Sequence, residues 1–416
     1  MLKCCRAWLA SSVVGCVAAS LASAPAGAEE AGFSLAPEAV EFYGEASLEG
    51  TLFAEEPAFP GQKRNSGSFA IEPTFLAEWA GGDLAFTLTP FYRVDSADDR
   101  RTHFDLREAK LDWRRGDWEG TVGVDFVFWG KTEALHLVDI INTDDAVENI
   151  DGEDKLGQPM IRVTRLTDVG AFSVFYLPFF REQTFAGDGG RLRAPLPVIK
   201  NARYQVDGEE TAPSFAVRWA DAIGDFDLGL SAFHGVSRDP ALEPIDFGAR
   251  LRPVYDDITQ VGFDGQYTSG DTLWKLETLG RFNQLDRDLE NRDYFAVTGG
   301  LEHTLYGVSE TAMDLGLIVE GAYDSRGQDA LTTFNRDVVA GARLTFNDVE
   351  DTAILLLGST DVATGSSALR LEAERRIADG WKAEIEGNAF LNTDDDDLEA
   401  SVQDDSYLRL TLSYFW

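Results

Sequence analysis

The feature that most limits how this chain can fold is a two-residue repeat of hydrophobicity. In "DWEGTVGVDFVFWG", apolar side chains fall at Trp118, Val122, Val124, Phe126 and Phe128, with polar or small residues between them. The same alternation runs through Met313, Leu315, Leu317, Val319 and Tyr323, through Leu369, Leu371, Ala373 and Ile377, and through the closing Leu408, Leu410, Leu412, Tyr414 and Trp416. Side chains of a strand point alternately to its two faces, so this is the strand period and not the 3.6 of a helix. Eighteen such segments are expected, beginning near residues 41, 68, 83, 102, 117, 159, 170, 213, 225, 256, 271, 293, 311, 335, 351, 366, 380 and 406.

The connections sort by parity. Short turns read "AGGD" (80–83), "RRGD" (114–117), "TDVG" (167–170), "DAIGD" (221–225), "SGD" (269–271), "GVSE" (307–310), "NDVED" (347–351) and "ADG" (378–380). Between them lie longer polar connections, so short and long alternate along the chain. A β-sandwich has no reason to sort its loops this way. A transmembrane barrel does, with tight turns on the periplasmic side and longer loops outside. The fold expected is all-β: a single antiparallel transmembrane barrel of sixteen to eighteen strands, the count favouring eighteen.

Tryptophan position supports a membrane setting. Trp79, Trp113, Trp118, Trp219, Trp274 and Trp381 lie close to short turns, Trp416 is terminal, and Trp129 is expected at the opposite rim. Amphipathic rings at strand ends make the aromatic girdle of a bilayer-embedded barrel. No run after the leader approaches the ~20 apolar residues of a membrane helix.

The first 28 residues read as a signal peptide: Lys3 and Arg6 precede an apolar stretch, and Ala26-Gly27-Ala28 supplies the cleavage site. A lipoprotein box ending at Cys16 competes and is disfavoured, because apolar sequence continues past it. Residues 29–40 are then a short periplasmic segment, and the barrel occupies 41–416. Cys4, Cys5 and Cys16 all fall in the leader, so the mature chain has no thiol or disulfide. Without Lys3 and Arg6 it carries 34 basic against 72 acidic residues, a balance of −38. Such a deficit argues against nucleic acid or anionic lipid as a partner.

The leader, the alternating strands, the girdle and the aromatic end of "SYLRLTLSYFW" together resemble Gram-negative outer-membrane porins across nearly the whole mature chain. The resemblance implies an outer-membrane location, contact with lipid and lipopolysaccharide, and a final strand read by the outer-membrane assembly machinery. Phe is the usual last residue in that class, so Trp416 departs mildly from it.

If one row faces lipid, the alternate row lines the lumen. Charges of both signs there, among them Arg93, Asp125, Glu277, Arg281, Glu320, Arg343, Arg370, Glu372 and Arg409, imply a water-filled interior. The long connection 131–157 has Ala134, Leu135, Val138 and Ile141 at helix-like spacing, followed by a cluster of acids. Its apolar residues need a surface, which makes it either a constriction loop folded into the pore or a helical cap over the mouth. Lys131, Glu133, Asp144 and Asp145 in it join Arg93, Asp125, Arg281, Arg343, Arg370 and Arg409 as pore-lining candidates. The connection 181–212 concentrates Arg191, Arg193, Lys200 and Arg203, a basic patch that either guides an anionic solute or holds the acidic loop 131–157 in place. Asp394, Asp395, Asp396 and Asp397 are weak candidates for loosely bound Ca²⁺ or Mg²⁺, which prefer oxygen ligands; they lack an EF-hand pattern. No other metal site and no cofactor is expected.

Catalysis is not expected. His234 and Ser237 in "FHGVSRD" are close in sequence, but no Gly-x-Ser-x-Gly elbow exists. The function expected is a porin passing small hydrophilic solutes by diffusion, with substrate selectivity set by the mixed-charge lumen. The alternative is a surface adhesin or receptor working through acidic loops. Solute identity stays open, as does trimer against monomer, because an oligomer interface on the lipid face is as apolar as the rest of that face.

Overall fold

The computed structural model describes residues 36–416. The expected signal peptide, and most of the segment 29–40, lie outside the described residues. From Ala39 onward the chain forms one 18-stranded antiparallel sheet in which each strand pairs with the next. The first strand, Ala39–Phe53, also pairs with the last, Tyr407–Phe415, which closes the sheet into a barrel. Closure removes every free edge, so backbone groups are paired without water, as lipid requires. The strands begin within three residues of the expected starts; the largest offsets are at Asn65 and Asp314.

Parity decides which side chains leave water. In the last strand Leu408 and Leu410 are about half exposed, whereas Arg409 is buried. Val122 and Val124 flank Gly123 on one strand, and Thr121 and Asp125, on the opposite row, are buried inside. The outward row is apolar almost throughout, with Phe69, Tyr92, Phe104, Tyr176, Phe215 and Phe295 exposed near one rim and Trp118, Trp274, Trp381 and Trp416 near the other. The outer girdle is thus built from Phe and Tyr, which a survey of Trp alone misses.

The seam depends on a glycine. Gly44 and Trp416 exchange backbone hydrogen bonds of 3.3 and 3.2 Å. A Cβ at Gly44 would lie 2.6 Å from the Trp416 ring and 2.7 Å from the Glu72 carbonyl oxygen. The terminal indole can lie flat across the first strand only because that position is bare.

Three expectations need correction, and one feature was not anticipated. Loop length does not sort by parity without exception: outer connections 286–290 and 362–366 are shorter than inner turns 306–313 and 346–352. The helix-like spacing in 131–157 does not make a helix; the segment runs as turns with one bridge, Asp144 to Lys155. Trp129 is not a girdle residue. It is 4% exposed and packs edge-on against Phe175 inside the barrel. Finally, a small sheet of Arg203–Tyr204, Ala241–Ile245 and Arg250–Tyr255 joins two outer loops.

Candidate functional site

The segment 131–157 lies against the inner wall and is held there mainly by carboxylates accepting from its backbone. Glu277, pointing inward from Thr272–Leu285, accepts from the amides of Lys131 (2.6 Å) and Thr132 (2.9 Å), from Thr132 Oγ1 (2.7 Å) and from the Val138 amide (3.3 Å). Glu320, from Asp314–Asp324, accepts from the amides of Glu133 (2.7 Å) and Ala134 (2.9 Å). A carboxylate with several N–H donors is a charge-assisted anchor, about twice as strong per bond as a neutral one.

The other end of the segment is held from across the ring. Arg107 pairs with Asp145 at 2.8 Å, and Arg93 Nε lies 2.7 Å from Glu148, both bases coming from the third and fourth strands. Arg370, on Ser367–Ala378, reaches Asp151 at 2.9 Å and Glu153 at 3.3 Å. Since Glu277 and Glu320 stand on the eleventh and thirteenth strands, the segment is fastened to opposite sides of the barrel. Its apolar residues explain the route between these ends. Val138, Ile140 and Ile141 are at most 1% exposed and pack with Trp129, Met160, Phe175, Leu177 and Phe233, an apolar stretch of inner wall.

The ten pore candidates divide into groups. Glu133 and Arg343 come together: Glu133 binds Arg343 and lies 3.6 Å from Lys275, while Arg343 and Lys275 both reach Glu302, at 3.2 and 3.3 Å. Lys131 is held through its backbone amide by Glu277. Arg93 and Arg409 share Glu49, at 3.3 and 3.7 Å. Asp125 holds Lys110 at 2.7 Å, and its carbonyl accepts from Asn142. Asp144 pairs with Lys155 at 2.5 Å, Asp145 with Arg107, and Arg370 with the segment as described. Arg281 stands apart, bound to Asp239 at 2.6 Å beneath the loop 237–256.

Several residues at this site escaped the sequence reading. Glu49 lies on the inward row of the first strand and parity alone would have found it. Arg101 reaches the same carboxylate at 2.6 Å from a loop, where parity says nothing. Arg107 could not be read by alternation, because a bulge between Thr89 and Pro90 opposite it shifts the register of the strand His103–Arg115. Above the bulge Asp105 and Arg107 point inward; below it Glu108 and Lys110 do.

A second segment, 178–213, crosses the outer mouth. It leaves between the seventh and eighth strands and docks on loops near the first, third and last. Asp98 accepts from the Gly187 amide (2.8 Å), and Gln62 donates to the Gly190 carbonyl (3.0 Å). Arg191 Nε meets Asp405 at 2.5 Å, and the Leu192 amide donates to the other Asp405 oxygen at 2.7 Å. Both Arg191 and Asp405 side chains are 2% exposed. Arg191 thus holds the loop that carries Asp405, not the acidic segment 131–157 that this basic patch was expected to hold. Arg193 stacks on Phe59 and Arg203 pairs with Glu243.

The aspartates 394–397 shape their own turn and tie it to the next loop: Asp394 caps the Asp396 amide at 3.0 Å, and Asp397 accepts from Thr364 and Ser366 of the connection 362–366. Burial and the nearby Asp337, Asp397 and Asp361 raise Glu399 to about 7. Among the described residues no group of three or more His, Cys, Asp or Glu side chains could hold a metal ion. His234 and Ser237 do not meet. The imidazole bonds to Thr259, and the serine hydroxyl bonds to Gln284 and donates to the Asp239 carbonyl.

A closed antiparallel barrel that is apolar outside and densely charged inside defines the class: a transmembrane β-barrel. Solved structures similar to it include OmpT of Vibrio cholerae, an outer-membrane protein in trimer form. Identity to that protein is 11% over 91% of this chain and 99% of that one, with a TM-score of 0.44. A mutant of the Rh. blastica porin is 12% identical over 91% of this chain and 100% of that one, with a TM-score of 0.45. No protein-family model matches the chain, and no curated protein matches its sequence.

Proposed function

We propose that this chain is an outer-membrane channel through which small hydrophilic solutes diffuse passively, narrowed at mid-depth by the segment 131–157. The observation that carries the reading is the attachment of that segment to opposite sides of the inner wall, through Glu277 and Glu320 on one side and Arg93 and Arg107 on the other. A segment placed across a charged lumen sets the aperture, and the charges around it tune what passes. Catalysis has no part in this reading. The apolar outer belt supports contact with lipid, and in this reading lipopolysaccharide and the outer-membrane assembly machinery are the further partners.

Refolded protein in planar bilayers tests this directly. Discrete conductance steps, with swelling of liposomes in small sugars, are expected. An insulating barrel would overturn the channel and favour a surface receptor.

A further inference from the structure

Resting on that channel reading, we infer that the pore selects for cations, carrying small positively charged solutes in preference to anions. The net acidity of the chain alone would not show this, since acids on outer loops act far from the lumen. The arrangement of partners inside the barrel does.

The segment crossing the lumen carries eight carboxylates, Glu133, Asp139, Asp144, Asp145, Glu148, Asp151, Glu153 and Asp154, against two lysines, Lys131 and Lys155. The wall answers with bases, but those bases are shared. Arg370 faces Asp151 and Glu153 on the segment and also Glu372 on its own strand, at 2.5 Å. Lys275 and Arg343 divide Glu133 and Glu302 between them. Toward the inner rim Lys382 sits between Glu374 and Glu384, the latter at 3.3 Å, and Lys110 between Glu108 (2.5 Å) and Asp125 (2.7 Å). Arg162 also reaches Asp125, at 3.5 Å, so the excess rests on Arg370 and Lys382, where one cation meets three and two carboxylates and pairing leaves fixed negative charge on the lumen wall.

Two physical facts turn that excess into selectivity. Low-dielectric walls focus the field of fixed charges into an aqueous cleft and enrich counter-ions there. At about 0.1 M salt the Debye length is about 10 Å, so charges lining a narrow lumen act on its whole cross-section. Rings of Asp and Glu are the device of cation channels.

The test is the zero-current potential of the refolded channel in a KCl gradient. K⁺ is expected to pass several-fold more readily than Cl⁻ at low salt, with the ratio falling toward the bulk value at 1 M. The double variant Glu374→Gln/Glu384→Gln should lower the ratio, and Lys382→Gln should raise it, each checked for a folded barrel by its heat-shifted gel mobility. Conductance without cation preference, or ratios that ignore both variants, overturns this inference and leaves the channel intact. Absence of conductance in every folded variant overturns the channel itself.

Discussion

Glu277 Oε1 lies 2.6 Å from the backbone nitrogen of Lys131, across 146 residues of chain. The same oxygen takes the amide and hydroxyl of Thr132, and the other oxygen takes the Val138 amide. Truncation to Ala would strand these buried donors, each costing about 1–3 kcal/mol when left unpaired. Glu277→Ala should therefore lower the urea unfolding midpoint and give a noisier channel of higher conductance. Glu277→Gln, which keeps one acceptor, should fall between. Unchanged conductance and midpoint in both variants would show that the segment does not depend on this anchor.

Among the fastenings of the strap 178–213 is the buried ion pair of Arg191 and Asp405. Removing one partner of such a pair typically costs 3–5 kcal/mol, because the other charge is left in the interior. Asp405→Ala should free Arg191 and the Leu192 amide, and open 181–212 to limited proteolysis on intact cells or proteoliposomes. The barrel strands should stay protected. Cleavage at the wild-type rate would count against the latch.

Adjacent residues of the last strand should respond oppositely to one substitution. Leu410 faces outward beside Gly50 and Ile385, and Thr411 faces the lumen beside Glu49 and Glu384. Arg at the lipid midplane costs about 2–4 kcal/mol in a barrel of this kind. Leu410→Arg should cut the yield of inserted protein sharply. Thr411→Arg should insert normally and reduce cation preference. Equal insertion yields would contradict the assigned facing.

The turn around Glu399 should loosen as pH rises. Its carboxyl is raised to about 7 by burial and by Asp337, Asp397 and Asp361. The folded state thus holds this proton more tightly than the unfolded chain, whose carboxyl titrates near 4.5. Its contribution to stability is fully present below pH 4.5 and is lost as pH climbs through 7. Protection from hydrogen exchange across 393–402, taken relative to the intrinsic amide rate at each pH, should be lower at pH 8 than at pH 5, and Glu399→Gln should flatten the difference.

The barrel itself was legible in residue order. A period of two over eighteen segments assigns each side chain to lipid or lumen, and the rule needs no knowledge of any neighbour. Arg93, Asp125, Arg343, Arg370 and Arg409 were placed on the inner row by that rule alone. It failed where its premise failed: at the bulge that turns Arg107 inward, and at Trp129, which follows the end of its strand Trp118–Asp125 and is free to turn into the core.

Side-chain facing, strand number and the girdle along the inner rim follow from local alternation, because a strand's geometry is set by its own backbone. Which charges meet follows from nothing local. Glu277 finds Lys131, and Arg191 finds Asp405, only after the ring has closed and brought distant strands to one depth. The helix-like spacing of Val138 and Ile141 describes a hydrophobic need without saying what meets it. The apolar wall around Phe175 and Phe233 meets it, and only the tertiary structure puts that wall in reach.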